Sequence, residues 1–350
     1  MTAPATGFTL PLPDARDAAV AGGKGASLGE LARAGIAVPA GFVLTASAFT
    51  AALSATDPDG TVRSDAQRPG AAGALRERIA AAPVPEEVAA AIGEAYAALV
   101  PDAGAGPDSG VAVRSSATAE DSAGASFAGL QDTYLGIRGA ASVLEHVRRC
   151  WASLYNDESV DYRRRIGLPE TGLAMAVVVQ RMVAPRAAGV MFTRSPVTGD
   201  RSVVAIEGTW GLGSALVAGD VTPDSFAVSK VTGEITGRRV TAKPRLHALA
   251  PGGSGVTVAG TPEHLRGEPC LADDEIAALA AAAQRVEAHY GVPQDIEWAL
   301  LDGDGDAASR IVLLQSRPET VWSARSPAGP VAVPRARAAD HVLSLFTRPL

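Results

Sequence analysis

The sequence predicts an α+β protein built on antiparallel sheets and organised in two lobes. Three observations carry that expectation. Its 350 residues suffice for about two domains. Helical and strand patterns both occur, but not in the βαβ alternation of a parallel Rossmann-type sheet. The last two strong strand patterns, 294–301 and 310–316, flank the Gly- and Asp-rich stretch 302–309, a hairpin signature. The lobes are expected at 1–182 and 183–324, with the proline-containing 325–350 as linker or tail.

From the N-terminus, residues 22–34 (GGKGASLGELARA) form a glycine turn entering a helix, with Ser27 as cap and Glu30 completing a capping box. Pro39-Ala40-Gly41 turns into a strand, Phe42 to Leu44. Residues 55–72, rich in Asp, Pro, Gly and Ser, are expected to be an exposed loop. Ala-rich helices follow at 73–82 and 85–99, then a loop at 101–110 and a strand at 111–114. One long helix is expected over 140–165, where Val143, Leu144, Val147, Trp151, Leu154 and Tyr155 recur at helical spacing around a buried Cys150. Strands at 173–183, 189–193, 202–207 and 225–229 come next. The helix 273–290 opens on acidic residues, as its dipole favours, and leads into the final strand pair.

Composition removes several function classes. A chain 47% hydrophobic and 20% charged is globular. A net charge of -7 gives no general attraction to nucleic acid or anionic membrane, so any bound phosphate must be held by local cations and backbone amides. Cys150 and Cys270 lie far apart, against a disulfide scaffold or a cysteine zinc site. No secretory leader is expected, and apolar stretches such as 173–179 fall far short of the ~20 residues of a membrane span. The expected location is the cytoplasm. Only Lys24, Lys230 and Lys243 are lysines among 31 basic residues, so a lysine inside a glycine cluster stands out.

The final strands carry the most informative chemistry. Side chains alternate faces along a strand, so Asp295 and Glu297 share one face, and Gln315 and Arg317 share another. If the two faces coincide, two carboxylates, an amide and a guanidinium converge at one end of an apolar hairpin. Buried charge is costly unless paired or metal-bound. The natural ligand is a magnesium polyphosphate, with a carboxylate and an amide oxygen on the metal and the guanidinium on phosphate. The intervening DGDGDAAS departs from a calcium loop at Ala307 and Leu313 and is expected to be a solvated turn.

Other segments add weaker signals. Gly22-Gly23-Lys24-Gly25 is not a Walker loop, because Gly25 follows the lysine, yet a glycine turn before a helix offers amides and one cation to an anion. The strand 111–114 delivers Arg114 into a run of small residues reaching Phe127, Gly129 and Leu130, and a guanidinium there suits a bidentate phosphate contact. The strand 177–183 ends in a polar-then-apolar step that suits a flat base. Glu207 lies at a strand end before Gly211-Leu212-Gly213, where Leu216 replaces the third glycine of a dinucleotide loop, so NAD binding is excluded. The five histidines share no motif and are expected on the surface or on helices.

Together these stretches resemble the ATP-binding domain of the dikinase family, which includes phosphoenolpyruvate synthases, pyruvate phosphate dikinases and rifampicin phosphotransferases. The resemblance is carried by GGKGASLGELARAGIAVPAGFVLT, VAVRSSATAEDSAGASFAGLQDTYL, VVVQRMVAPRAAGVMFTRSPVTGD, IEGTWGLG and DIEWALL…LLQSRPET, in family order along nearly the whole chain. It implies an ATP-grasp-like fold of two lobes clamping ATP between antiparallel sheets. Lys24 and Arg114 match the family's triphosphate-binding cations, and Gln180, Arg181, Met182 and Val183 its adenine-holding segment. Glu207 matches a carboxylate near the nucleoside. Glu297 and Gln315 match the Mg²⁺ ligands, with Asp295 beside them, and Arg317 matches the arginine on the transferring phosphates. The implied reaction passes the β,γ-pyrophosphoryl unit of ATP to a histidine on a swivelling domain, releasing AMP.

The chain also departs from the family pattern. The swivelling domain's Thr-Ser-His-Ala type motif is absent from these residues, and Ser214 stands where the family usually has Glu. The expected protein is therefore the ATP-binding half of a split enzyme, its partner a separately encoded phosphohistidine protein. The alternatives are a stand-alone kinase acting on a small acceptor and a non-catalytic nucleotide-binding regulatory subunit.

Overall fold

The computed structural model describes residues 7–66, 68, 70–101, 110–118, 132–167, 169–170, 172–250 and 255–323. The expected tail at 325–350, Phe127, Leu130 and nearly all of the loop at 101–110 lie outside the described residues. The described parts of Met1–Arg33, Ala40–Met182 and Pro251–Gly255 form one compact unit; those of Ala34–Pro39, Val183–Ala250 and Val256–Leu350 form a second.

The first unit runs β1 (Thr9–Pro11), α1 (Ala18–Arg33), β2 (Gly41–Leu44), α2 (Ala46–Thr56), α3 (Thr61–Asp65), α4 (Ala71–Ala81), α5 (Glu86–Leu99), β3 (Val111–Ala117), β4 (Thr133–Ile137), α6 (Ala140–Ser153), α7 (Asp157–Ile166) and β5 (Met175–Arg181). Its sheet has the order β1-β2-β5-β3-β4, every pair antiparallel. Alternation sorts the two faces. Phe42, Leu44, Val111, Val113, Val177 and Val179 enter a core with Phe49, Leu75, Ile92 and Trp151 from the helices. The opposite face carries Val43, Val178 and Arg114 in one register row and Gln180 opposite Ala112 in another.

α1 enters through a kink at Gly22, with φ 68°. No other residue fits there, since a Cβ would stand 2.1 Å from the Ser116 carbonyl oxygen. Ser116 does the capping expected of Ser27: its Oγ accepts from Gly25 N–H at 3.1 Å and donates to Ala21 O at 2.9 Å. Ser27 itself lies inside α1. The expected long helix at 140–165 is two helices. The apolar period continues through Tyr155, but Asn156 Oδ1 accepts from Ser159 N–H at 2.7 Å and starts α7 anew. The expected loop at 55–72 contains α3 and overlaps the ends of α2 and α4.

The second unit runs β6 (Pro185–Phe192), β7 (Val203–Trp210), α8 (Ser214–Val217), β8 (Asp224–Ser229), β9 (Ile235–Arg239), β10 (Arg245–Leu249), β11 (Val256–Gly260), α9 (Asp273–Tyr290), β12 (Gln294–Leu301) and β13 (Ile311–Pro318). Six strands form an antiparallel sheet in the order β13-β12-β6-β7-β8-β9, and β10 and β11 pair by themselves. Met191, Ile206, Phe226, Ile296 and Trp298 line one face and are buried. Arg238, opposite Phe226 on that face, is ion-paired with Asp273 of α9, so the helix covers this side. Gly208 lies beneath it, where a Cβ would stand 3.0 Å from Trp298 and 3.1 Å from Cys270 Sγ and those side chains would have to shift to admit it. Glu275 at the start of α9 ties the sheet's ends together, accepting from Arg186 at 2.6 Å and Arg310 at 2.9 Å. Burial opposes its ionisation, but the Ala272 N–H and the Arg186 guanidinium prevail and hold its pKa below the usual carboxylate value.

Candidate functional site

In the second unit the polar residues of the final hairpin meet as cross-strand pairs. Asp295 faces Arg317 and Glu297 faces Gln315. A register shift between Glu297 and Trp298 makes this possible: Trp298 faces Leu313, which leaves Leu314 as the extra residue of a bulge. Leu313 is thereby buried on the helix-covered side, while Gln315 and Arg317 join the carboxylates on the other. Without the bulge, Leu313 and Gln315 would share a face.

The row continues across the sheet. Glu297 faces Val190, and Val190 faces Glu207, giving a line Gln315–Glu297–Val190–Glu207. The next row is Arg317–Asp295–Phe192–Ala205. Glu207, Phe192 and Val190 are buried, and Leu216 of α8 packs onto Val190 and Phe192 from above this face.

Asp295 is the electrostatic centre of the arrangement. Its Oδ2 stands 3.6 Å from Arg317 Nε, an ion pair too long for a good hydrogen bond. Its Oδ1 is buried with no hydrogen-bond partner among the described residues. Burial raises its pKa from 3.8 to about 7, against the pull of Arg317 and with a further push from Glu319. A cation delivered to this carboxylate displaces the proton and relieves the cost. Carboxylate and amide oxygens are the hard donors that Mg²⁺ prefers, and Glu297, Gln315 and Asp295 supply them. Among the described residues no three His, Cys, Asp or Glu side chains form a closed metal cage, so such an ion would need further oxygens from its ligand.

In the first unit Arg114 and Gln180 occupy the α1-bearing sheet face and are buried. Lys24 precedes Gly25, whose N–H is fixed to Ser116 two residues beyond Arg114. These three are thus placed on one side of one sheet. Arg181 falls on the alternate face and is exposed. The strand end is pinned by backbone bonds, Arg181 N–H to Ala40 O at 2.8 Å and Met182 N–H to Gly110 O at 2.9 Å. Val183 begins the second unit.

One group was missed by sequence reasoning. His247 is neither a surface nor a helix residue: it lies on β10, buried, with Nδ1 3.0 Å from Ser214 Oγ and Nε2 3.0 Å from Asp220 Oδ2. No sequence signal links three residues so spaced. His146 and His289 do lie on helices, as expected. Cys150 is fully buried as expected, and burial pushes its thiol pKa far up, so it is inert. The 302–309 turn is largely exposed, with Asp306 accepting from Ser309 N–H at 2.7 Å.

Among the described residues no helix is long and apolar enough to cross a membrane. Residues 18–335 match the family model described as pyruvate phosphate dikinase, AMP/ATP-binding domain. A rifampicin phosphotransferase from a Streptomyces species is 45% identical over 318 residues, covering 88% of this chain and 35% of that protein. A probable phosphoenolpyruvate synthase of Methanothermobacter thermautotrophicus is 44% identical over 315 residues, covering 87% of this chain and 44% of its own length. The phosphoenolpyruvate synthase of Aeropyrum pernix is 38% identical over 335 residues, with 86% of this chain and 41% of that enzyme covered. The chain thus spans less than half the length of these relatives, but the family model takes in nearly all of it. It belongs to the pyruvate phosphate dikinase AMP/ATP-binding domain family.

Proposed function

We propose that this chain is the ATP-binding component of a dikinase-type phosphotransferase of the phosphoenolpyruvate synthase kind, working in the cytoplasm. The observation that carries the reading is the paired end of the last hairpin: Asp295 opposite Arg317 and Glu297 opposite Gln315, with a buried carboxylate oxygen left unmatched. The fold is then ATP-grasp-like. Lys24 and Arg114 neutralise the triphosphate, the segment Gln180–Val183 holds adenine, and Glu207 serves the nucleoside. Glu297 and Gln315, with Asp295 beside them, would hold Mg²⁺, which when bound neutralises phosphate charge and polarises the phosphoryl oxygens.

The chain's own contribution is positioning and charge neutralisation. Arg317 is held beside Asp295 by strand pairing, so its guanidinium is presented in a fixed orientation to the transferring phosphates. An imidazole nitrogen on a separate swivelling domain or protein attacks the β-phosphorus. The bond from that phosphorus to the α,β-bridging oxygen breaks, and AMP leaves with the oxygen.

The test follows label from β- and γ-³²P ATP with the chain alone and with a histidine-domain protein. AMP and doubly labelled phosphohistidine formed only with the partner support the proposal. ADP formed by the chain alone would replace it with direct kinase action, and tight ATP binding without turnover under either condition would leave a nucleotide-binding regulator. Arg317→Ala is expected to abolish turnover while the chain still unfolds in a single cooperative transition; wild-type rates in that variant would remove the site assignment.

A further inference from the structure

His247 holds the segment between β7 and β8 by backbone and side chain at once. Its carbonyl accepts from Leu212 N–H at 2.9 Å, and Gly211 pairs with it in an isolated bridge. Gly211 has φ 71°, and a Cβ there would meet the same carbonyl oxygen at 2.4 Å, so the approach demands glycine. The imidazole then clasps the short α8 turn from both sides, Ser214 at its start and Asp220 beyond its end, each at 3.0 Å. Asp220 is an acceptor as a carboxylate, so Nε2 carries a hydrogen. In the neutral ring Nδ1 is left as an acceptor, and it takes the Ser214 hydroxyl hydrogen. The Ser214 oxygen then turns its lone pairs away from the ring.

The clasped segment lies over the polar face of the six-stranded sheet. A Cβ on Gly213 would stand 3.7 Å from the Ala188 side chain, which shares a face with Val190. Leu216, fully buried, covers Val190 and Phe192. Val190 separates Glu207 from Glu297, and Phe192 separates Ala205 from Asp295. The height of this segment therefore sets the apolar surface between the carboxylate proposed for the nucleoside and those proposed for the metal.

We infer that His247 is a positioning residue for nucleotide recognition: through Ser214 and Asp220 it fixes the segment 211–220, and through Leu216 it shapes the surface against which the nucleoside end of ATP is received. The inference rests on the ATP reading above. It assigns His247 to the nucleoside and not to the phosphates, and that split is what a purely structural role would not produce.

The experiment is calorimetric titration of the full chain with Mg²⁺–ATP and, separately, with Mg²⁺–tripolyphosphate, well below the melting temperature. His247→Ala is expected to weaken ATP about tenfold through misplacement of the segment, and to leave tripolyphosphate affinity unchanged. His247→Gln, which reaches the Nε2 position and keeps the Asp220 arm, is expected to recover part of the loss. Ser214→Ala is the milder second variant, expected to weaken ATP about threefold with the same split. Equal losses for both ligands, or wild-type ATP affinity in His247→Ala and Ser214→Ala, would overturn the inference and leave the ATP site standing. A wild-type chain that binds neither ligand would sink the ATP reading and this inference with it.

Discussion

Asp224 and Asp295 sit on opposite faces of the same six-stranded sheet, and their surroundings differ in kind. Asp224 lies opposite Gly208, on the side covered by α9. Its Oδ1 accepts from Lys243 Nζ at 2.7 Å and Thr241 N–H at 2.9 Å, and its Oδ2 from Cys270 N–H at 2.8 Å. Asp295, on the other face, has one oxygen near Arg317 and one with no partner among the described residues. A buried carboxylate with both oxygens engaged belongs to the scaffold. One left half-matched is stable only because it can take a proton, and it is the group that gains most from a cation the chain does not itself contain. Under the proposed reading, one face of the sheet holds the fold together and the other receives the ligand.

The largest test of that division is on the scaffold side. Lys243 and Asp224 are both completely buried. Lys243→Met leaves the Asp224 charge without its counterion and is expected to cost about 3–5 kcal/mol of stability in urea unfolding. The double variant Lys243→Met with Asp224→Leu should recover part of that loss, since removing both charges also removes their desolvation cost. A single variant within about 1 kcal/mol of wild type would show that the pair is not what holds β8 to the segment before β10.

How far the sequence reveals these arrangements depends on how local the cause is. The helix 273–290 is legible to the residue, because its acidic first turn and apolar stripe lie in adjacent positions. The final hairpin is legible because alternation in each strand is independent of what surrounds it. Its bulge is not, since Leu314 looks like any other apolar strand residue. The break at Asn156 was hidden by an apolar period that runs on past Ser153 into Tyr155. β9 and β11 escape notice because they are largely exposed and carry no run of core residues. Within the candidate site the near neighbours Asp295, Glu297, Gln315 and Arg317 are readable by spacing. Ser116 capping α1 from 91 residues away is not, nor is His247 between Ser214 and Asp220, because only the folded chain brings them together.

On the ligand side the expected effect is smaller and depends on pH. Asp295 has a folded-state pKa of about 7, raised by burial from 3.8. A raised pKa means that the proton is held more tightly in the folded chain, so the associated stability is fully present below about pH 4 and is lost as pH rises through about 7. Asp295→Asn imitates the protonated form at every pH. It is expected to match wild type near pH 4 and to exceed it by roughly 2–4 kcal/mol near pH 8. The same variant should bind Mg²⁺–ATP more weakly, because an amide cannot supply the negative charge. Urea titrations at the two pH values check the first claim, and a variant less stable than wild type at the higher pH would mean that Asp295 is a scaffold residue like Asp224.

The smallest effect distinguishes two kinds of unmatched polar atom on one face. Thr209 lies in the row Ala299–Ala188–Thr209, next to the row of Glu297 and Glu207. Like Asp295 Oδ1, its Oγ1 is buried with no hydrogen-bond partner among the described residues. The two residues differ as wholes: the Asp295 side chain is 13% exposed, and Thr209 is completely covered. The proposed metal site uses Asp295 and not Thr209, so the Thr209 hydroxyl is expected to be a desolvation cost without a functional return. Thr209→Val keeps the shape and removes that hydroxyl, and is expected to stabilise the chain by up to about 1 kcal/mol. Its affinity for Mg²⁺–ATP should stay at the wild-type value, in contrast to Asp295→Asn, where stability at high pH rises and affinity falls. Weaker ATP binding in Thr209→Val would show that the segment 211–220 opens far enough to admit the nucleotide to this second row.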